Sequence, residues 1–476
     1  MAPNVPDEPE RSAQSLRPSK TIPCVCAYDA GLVEPIVRRA RLFLMSSSPP
    51  VPHRGLLAGL LAALAMLGPF CIDAIFPAFP EIERRFGAGP VVMQQTISVY
   101  LFAYAALSLF VGAMSDAWGR RTVILGGLVV FLAGTIGCAL APSMHALLVF
   151  RSLQGASAGI GMIVGRAIVR DCFAGPSAQK LMAQISLIFG LAPALAPVVG
   201  AWLVAWDGSP LATRPDWLVG WHALFWALAL FTLALIGLCL AVLPETHARE
   251  RRVAFLPRTL FSNYRGIVSD RQFAALALVL TFNSAGFFVY IANAPALVLG
   301  ILRLDQNQFP WLFVPAISGL MLGALLTGRL AGRVPVRTLV GAGYAVMLGA
   351  SLLNLVIAFA VQPARVPWTV LPVAIGAIGV NLVAPALNLL VLDRFPQYRG
   401  GASSVQAFLM LTFSALLAGV LGPLVAHSAL SLAITSSAFY LIGLIGWRWY
   451  RRVAKRIPEK IDGDAAVIAA AGTSAD

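Results

Sequence analysis

Twelve long apolar runs, each about long enough to cross a bilayer, most limit what this chain of 476 residues can fold into. A membrane-spanning helix needs ~20 mostly apolar residues, because each residue advances the helix by about 1.5 Å. The composition agrees, since 12% of the residues are charged against about 25% in a soluble domain. The sequence therefore predicts an all-α integral membrane protein. The predicted spans cover residues 56–79, 91–114, 122–141, 145–168, 181–205, 221–243, 273–300, 311–331, 338–361, 368–391, 402–425 and 429–449.

The basic residues predict the orientation of the spans. When both termini are placed on one side, 29 of the 35 Lys and Arg residues fall on that side. Basic loops are retained in the cytoplasm, so we expect both termini there. The net charge of +14 is spread over many loops without one compact basic face, which excludes nucleic acid as an expected partner.

A basic loop divides the twelve spans six and six, as expected for duplicated halves with a substrate path between them. Translation from Met1 and translation from Met45 both remain open, so the N-terminal tail is either native or an artefact of the assigned start. The predicted organisation is a polar tail 1–54, a six-helix bundle 55–244, a cytoplasmic loop 245–272, a second six-helix bundle 273–450 and a cytoplasmic tail 451–476.

Three motifs carry a family resemblance. Spans two and three are joined by GAMSDAWGRR, span four contains RSLQG followed by RAIVRD, and span five contains APALAPVVG. Met114 and Ala117 stand where the first motif usually has Leu and Arg. The motif residues are Gly112, Asp116, Gly119, Arg120 and Arg121 in the first, Arg151, Gln154, Arg166, Arg170 and Asp171 in the second, and Pro193, Pro197 and Gly200 in the third.

These motifs resemble the major facilitator superfamily, and most closely its bicyclomycin-resistance (Bcr/CflA) branch of drug:proton antiporters. The resemblance implies two pseudo-symmetric six-helix bundles in a bacterial inner membrane, which export drug-like amphipathic molecules by alternating access. It also implies that Asp116, Arg120 and Arg121 latch the cytoplasmic side, although an ordinary salt bridge beside a topogenic basic cluster would give the same pattern. We expect Gly112 and Gly119 to permit close packing at this junction. A metabolite exporter or importer, or a non-transporting receptor, remains an alternative, because a fold alone does not fix function.

Asp73 and Arg151 are the only acid and base well inside predicted spans. An ionised group at the bilayer centre costs roughly 2.5–3.5 kcal/mol on insertion scales, so such residues are functional candidates. Both lie roughly 9 Å from the outer boundary, at about 1.5 Å per residue, and we expect them to meet. Our hypothesis is that Asp73 carries the coupling proton and Arg151 modulates it, with Gln154 on the same helix face. The alternative is a static ion pair that only fixes helix packing.

Uncharged polar residues inside the spans are the next candidates. Each one either lines a substrate cavity or hydrogen-bonds to a neighbouring helix. We also expect Met66, Phe70 and Phe76 to offer a lipophilic surface near Asp73. The candidate cavity residues are Tyr100, Tyr104, Asn283, Tyr290, Asn293, Asn381, Asn388 and Gln406.

The sequence argues against an enzyme. The segment from Gly155 to Gly159 fits G-x-S-x-G, but it lies in a membrane helix rather than at the strand–turn–helix that the motif requires. The small residues of Gly155–Gly159 and Gly161–Gly165 instead predict close packing of span four against its neighbours. The sequence contains no Walker motif, so we expect no ATP. We also expect no metal and no cofactor, and we expect the proton gradient to drive transport. The expected partners are a small amphipathic substrate, protons and the bilayer.

Overall fold

The computed structural model describes residues 54–173, 175–205 and 216–455. Residues 1–53 of the predicted N-terminal tail, including Met45, and most of the C-terminal tail lie outside the described residues. All regular elements within the described residues are helical. Their α-helices are Arg54–Asp73, Phe79–Phe86, Pro90–Trp118, Arg120–Ala139, Met144–Ala158, Ile160–Cys172, Gly175–Ala205, Trp221–Val242, Pro257–Ser269, Arg271–Ala292, Pro310–Leu330, Val336–Ala360, Leu371–Arg394, Arg399–Leu416, Gly422–Val425 and Ala429–Lys455.

Twelve of the described helical segments are long and apolar enough to cross a membrane, which confirms the predicted number of spans. Span one runs over Gly55–Phe86 and span four over Met144–Cys172, and each contains two successive α-helices. Because twelve successive spans return the chain to its starting side, the described chain begins and ends on one face. We call this the terminal face and the other side the far face.

The two halves repeat the same neighbour relations, as the resemblance implies. In the first half, span one packs against span five, span two against span four, and span three against span six. In the second half the equivalent pairs, seven with eleven, eight with ten, and nine with twelve, pack in the same way. The contacts between the halves follow the same symmetry. Span two packs against span eleven, and the equivalent spans, eight and five, also pack against each other. This pattern indicates two pseudo-symmetric bundles.

Glycine lets the helices of the first half touch through their backbones. A Cβ atom on Gly155 of span four would overlap the carbonyl oxygen of Tyr100 in span two. A Cβ atom on Gly161 would likewise overlap the carbonyl of Leu64 in span one. Small residues at helix interfaces permit such close approach in membranes. The predicted packing role of the glycines in span four is therefore confirmed at these two positions.

The predicted loop 245–272 contains a helix that the sequence did not reveal. It runs over Pro257–Ser269, and we call it the central helix. Its 13 residues are too few to cross a bilayer, so a search for spans passes over it. Tyr264 and Ile267 are buried on one side of it, with the spacing expected for one face of a helix.

The glycine contacts predict a difference between two alanine substitutions. We expect Gly155→Ala to destabilise the protein by about 1–3 kcal/mol, because the added methyl group overlaps a backbone atom that cannot rotate away. Gly126→Ala in span three is the matched control, since nothing lies within 4 Å of its Cβ position and Ala favours the helix. Thermal unfolding in detergent measures both, and equal midpoints for the two variants would contradict the contact.

Candidate functional site

Arg151 is a fully buried cation held by neutral groups from three spans. Its Nη1 atom donates to Gln154 Oε1 at 3.0 Å and to the carbonyl oxygen of Cys71 at 3.3 Å. Its Nε atom donates to the carbonyl oxygen of Thr96 at 3.4 Å, and its guanidinium lies 4.6 Å from the centre of the Tyr100 ring. The Nη2 atom is buried without a hydrogen-bond partner. The site therefore has unused capacity to bind an acceptor.

Asp73 is also buried, with 4% of its surface exposed, and its Oδ1 atom has no hydrogen-bond partner. The expected pairing with Arg151 is wrong for this conformation, because no ion pair joins the two among the described residues. Cys71 faces Arg151, and two residues turn a helix by about 200°. Asp73 therefore points away from the guanidinium, although the two residues lie at a similar depth.

Gln154 connects Arg151 to span three. Its Oε1 atom accepts from Arg151, as the three-residue spacing predicts, and its Nε2 atom donates to Thr135 Oγ1 at 2.7 Å. Thr135 in turn donates to the carbonyl oxygen of Phe131 at 2.7 Å. This chain of hydrogen bonds fixes the amide and, through it, the position of the guanidinium.

Some of the predicted cavity residues hold helices together instead. Tyr100 donates from its hydroxyl to the carbonyl oxygen of Gly68 at 2.9 Å, and Asn381 donates from Nδ2 to the carbonyl oxygen of Leu320 at 2.9 Å. The Tyr290 hydroxyl accepts from Asn354 Nδ2 at 2.5 Å. In these cases the side chain hydrogen-bonds to a neighbouring helix, which is one of the two roles that the sequence left open.

The other predicted cavity residues keep polar atoms available. Gln406 is buried, and neither its Oε1 nor its Nε2 atom has a partner. Asn283 accepts from the Tyr344 hydroxyl at 3.2 Å, but its Nδ2 atom is buried without a partner. Tyr104 is half-buried and Asn388 is exposed. Because unpaired buried amides are costly, Gln406 and Asn283 are the best candidates for substrate contacts in the second half.

Contrary to the expectation, Phe76 does not offer a lipophilic surface near Asp73. It is completely buried and packs against Phe309 and Phe313 of span eight, with ring centres 6.4 and 6.0 Å apart. Met66 and Phe70 are half-buried. The helix of span one ends at Asp73 and a short 3₁₀ turn begins at Phe76, so the aromatic ring is directed across to the second half.

Amide and hydroxyl groups also join the halves on the far face. Gln94 Nε2 donates to Asn293 Oδ1 at 2.9 Å, and Ser98 Oγ donates to the carbonyl oxygen of Ala415 at 2.8 Å. Gln95 adds a bond from Nε2 to the carbonyl of Gly419 at 2.8 Å. Apart from Asn293, these residues could not be identified from the sequence, because polar residues near span ends are common and their partners depend on how the two halves meet.

On the terminal face, Arg120 unites two motifs that were separate in the sequence. Its Nη1 atom lies 2.5 Å from Asp116 Oδ1, and its Nε atom lies 3.3 Å from Asp171 Oδ2 at the end of span four. Its backbone N–H donates to Glu245 Oε1 at 2.9 Å. Gly119 has a φ of +98°, and a Cβ atom there would overlap Glu245, so the loop needs glycine at this position.

The remaining motif residues fall into different environments. Arg121 donates from Nη2 to the carbonyl oxygen of Leu240 at 2.8 Å, whereas Arg166 and Arg170 are exposed. Gly112 was expected to permit close packing, but nothing lies within 4 Å of its Cβ position. That expectation is wrong because Gly112 faces open space.

The third motif shapes span five. Pro193 and Pro197 lie inside its helix, and a Cβ atom on Gly200 would overlap the carbonyl oxygen of Ala74. The motif therefore lets span five touch span one directly after Asp73. In the described residues, no group of three or more His, Cys, Asp or Glu side chains is arranged to hold a metal ion.

Comparison with known proteins agrees with this arrangement. The sequence profile of the Major Facilitator Superfamily matches residues 58–423. An uncharacterized MFS-type transporter of Bacillus subtilis, YdgK, is 29% identical over 404 residues, which covers 84% of this chain and 96% of the relative. The multidrug transporter MdfA of Escherichia coli O6:H1 is 29% identical over 370 residues, which covers 74% of this chain and 86% of the relative.

A bicyclomycin resistance protein homolog of Haemophilus influenzae is 24% identical over 400 residues, which covers 81% of this chain and 94% of the relative. Among solved structures, a bacterial homolog of the human lysosomal transporter Spinster, in an inward-facing and occupied conformation, superposes with a TM-score of 0.63. It is 16% identical, and the match covers 85% of this chain and 98% of that chain. This likeness shows the fold.

The contacts of Gln154 predict the effect of removing one hydroxyl. We expect Thr135→Val to destabilise the protein by about 1–3 kcal/mol, because it leaves the buried Gln154 Nε2 atom without an acceptor. Thr232→Val is the matched control, since Thr232 is equally buried and donates only within its own helix, to Leu228 at 2.7 Å. Thermal unfolding in detergent compares them. The link to Gln154 contributes nothing if both variants lose the same stability.

Proposed function

This chain belongs to the major facilitator superfamily, and from that premise we propose that it exports drug-like amphipathic molecules in exchange for protons. It is a multi-pass membrane protein of a family of transporters, not an enzyme. Drug-like substrates are supported by the similarity to a multidrug transporter and to a bicyclomycin resistance homolog. The observation that carries the proposed coupling is Asp73, an enclosed carboxyl group with an unpartnered oxygen.

Asp73 supplies the proton site of the proposal. An ionised carboxylate that is buried without a cation or donor carries a large desolvation cost, and binding a proton removes the charge. The surroundings of Asp73 therefore suit the protonated acid in this conformation. Three residues later, Phe76 packs against span eight, so a movement that separates this contact also changes the surroundings of the carboxyl group.

Arg151 supplies the opposite charge. Its partners are neutral and its Nη2 atom is free, so it can accept Asp73 as a counter-ion if span one turns. Pairing would stabilise the ionised carboxylate and so promote proton release. A substrate that competes for either group would change proton affinity, and linkage makes that effect reciprocal.

In this proposal, the contacts between the halves on the far face indicate which side of the transporter is closed. If the basic terminal face lies in the cytoplasm, then the amide and aromatic contacts of Gln94, Phe76 and their partners close the outer side. The molecule is then inward-facing, the state in which a cytoplasmic substrate enters.

Neutralising the carboxyl group tests the coupling. We expect Asp73→Asn to abolish accumulation of the amphipathic dye ethidium, driven by an imposed pH gradient, in everted vesicles that contain the protein. The same variant should lose any resistance that expression confers in a panel of drugs including bicyclomycin. The reason is that an amide binds no proton in the physiological range.

Asp393→Asn is the matched control for this experiment. Asp393 is exposed, and its contact with Arg399 is an open surface pair of 3.8 Å, which contributes little to stability. We expect this control to transport like the unaltered protein. Full pH-driven transport by Asp73→Asn would disprove the proton role, and transport of a single metabolite without any drug would favour the metabolite alternative.

Cross-linking tests whether the far face must open. In a Ser98→Cys/Ala415→Cys variant, a short bifunctional thiol reagent should join spans two and eleven, because Ser98 Oγ lies 2.8 Å from the carbonyl oxygen of Ala415. We expect the cross-linked protein to stop transport and a reducible reagent to restore it after cleavage. The unreacted double variant is the control, and undiminished transport with the cross-link in place would contradict alternating access here.

A further inference from the structure

The central helix joins the two halves on the terminal face. The Tyr264 hydroxyl donates to the carbonyl oxygen of Leu109 in span two at 2.6 Å. Ile267, one turn later, is 2% exposed, and a Cβ atom on Gly401 at the start of span eleven would contact both Tyr264 and Ile267 at about 3.5 Å. One side of the helix is thus fixed to protein, and the other side is uncovered.

The uncovered side presents an apolar pair and a basic pair with the same spacing. Phe261 and Val268 are seven residues apart and are 55% and 51% exposed. Arg258 and Arg265 are also seven residues apart, and both are exposed. At about 100° per residue, seven residues bring each pair back to one line, and the two lines lie about 60° apart. An apolar line beside a basic line is the pattern of a helix that lies in a membrane interface.

Aromatic contacts place this helix at the depth of the interface. Trp118 ends span two, is 50% exposed, and lies 6.0 Å from the ring of Phe255, just before the central helix. Phe261 lies 5.9 Å from the ring of Phe110 in the same span. Exposed tryptophan at the end of a span marks the boundary between hydrocarbon and headgroups. Phe110 is eight residues before Trp118, or about 12 Å along the helix, so Phe261 contacts span two on the hydrocarbon side of that boundary.

We propose that the central helix lies in the headgroup layer and that Arg258 and Arg265 bind the phosphates of anionic lipids. Phe261 and Val268 insert on the hydrocarbon side, and the two guanidiniums face the headgroups. The next acid along the chain, Asp270, is paired with Arg394 at 3.0 Å, so it does not neutralise the basic pair. An arginine guanidinium can donate two parallel hydrogen bonds to the oxygens of one phosphate, and the lipids around the spans provide such phosphates in their headgroups.

This contact gives lipid a way to influence transport. The helix that would bind the headgroups also bridges spans two and eleven, whose far ends form the contacts between Ser98 and Ala415. Lipid that orders the helix therefore stabilises one relative position of the halves. The inference requires only the membrane fold and holds whatever substrate is carried.

Lipid binding by the purified, full-length protein tests the proposal. Native mass spectrometry would compare phosphatidylglycerol and phosphatidylcholine bound to the unaltered protein, to Arg258→Gln/Arg265→Gln and to Arg337→Gln/Arg451→Gln. The last variant removes the same charge from exposed, scattered positions on the terminal face. Each basic side chain near an anionic surface strengthens binding about fivefold, so we expect phosphatidylglycerol to bind about 30-fold more weakly to the central-helix variant alone. Arg258→Lys/Arg265→Lys should retain most of the binding.

Hydrogen exchange provides a second measurement that needs no transport assay. In vesicles of phosphatidylcholine with phosphatidylglycerol, amides of residues 257–269 should exchange more slowly than in phosphatidylcholine alone, and the double Gln variant should lose this difference. Phosphatidylglycerol affinities within threefold between the unaltered protein and that variant, or an equal loss in the Arg337/Arg451 control, would overturn the proposal. Equal protection by inorganic phosphate without anionic lipid would also overturn it, because the site would then bind free anions.

Discussion

The burial of Arg151 among neutral oxygens is the interaction on which the first half depends. A guanidinium leaves water at a high cost unless its donors are satisfied, and here the satisfaction comes largely from backbone. The carbonyl oxygen of Cys71 belongs to the last turn of a helix that ends at Asp73, where carbonyls lack helical partners. The break in span one therefore provides one acceptor, and the glycine contact at Gly155 brings span four close to span two, which provides the carbonyl oxygen of Thr96 as another.

The break in the helix of span one also connects the Arg151 guanidinium, the Asp73 carboxyl group and the contacts between the halves on the far face. Cys71, Asp73 and Phe76 lie within six residues, yet they point to the guanidinium, to an enclosed site without a partner and to span eight. A regular helix would hold these side chains in one rigid arrangement. Because the helix stops and a 3₁₀ turn follows, a rotation at this point alters all three environments together, which is what the proposed coupling between a proton and a gate requires.

Much of the architecture could be predicted from the sequence, because span length and glycine spacing are local properties. The twelve spans and the contact between Arg151 and Gln154 are of this kind. The pairing of Asp73 with Arg151 was wrong because depth follows from counting residues, whereas the direction of a side chain depends on how its helix is rotated. The central helix was missed because its 13 residues are shorter than a span, and the partner of Gln94 depends on how the halves meet.

The chemistry of the contacts also separates what is rigid from what moves. The ion pairs of Arg120 with Asp116 and Asp171 lie within the first half, and the pair of Arg394 with Asp270 lies within the second half and its leading segment. The far-face bonds between the halves are neutral, and such bonds in membranes contribute only about 0.6 kcal/mol each. Charge therefore stabilises each bundle internally, while the boundary between them is made of contacts that separate at small cost. That distribution suits two bodies that rock about a central site.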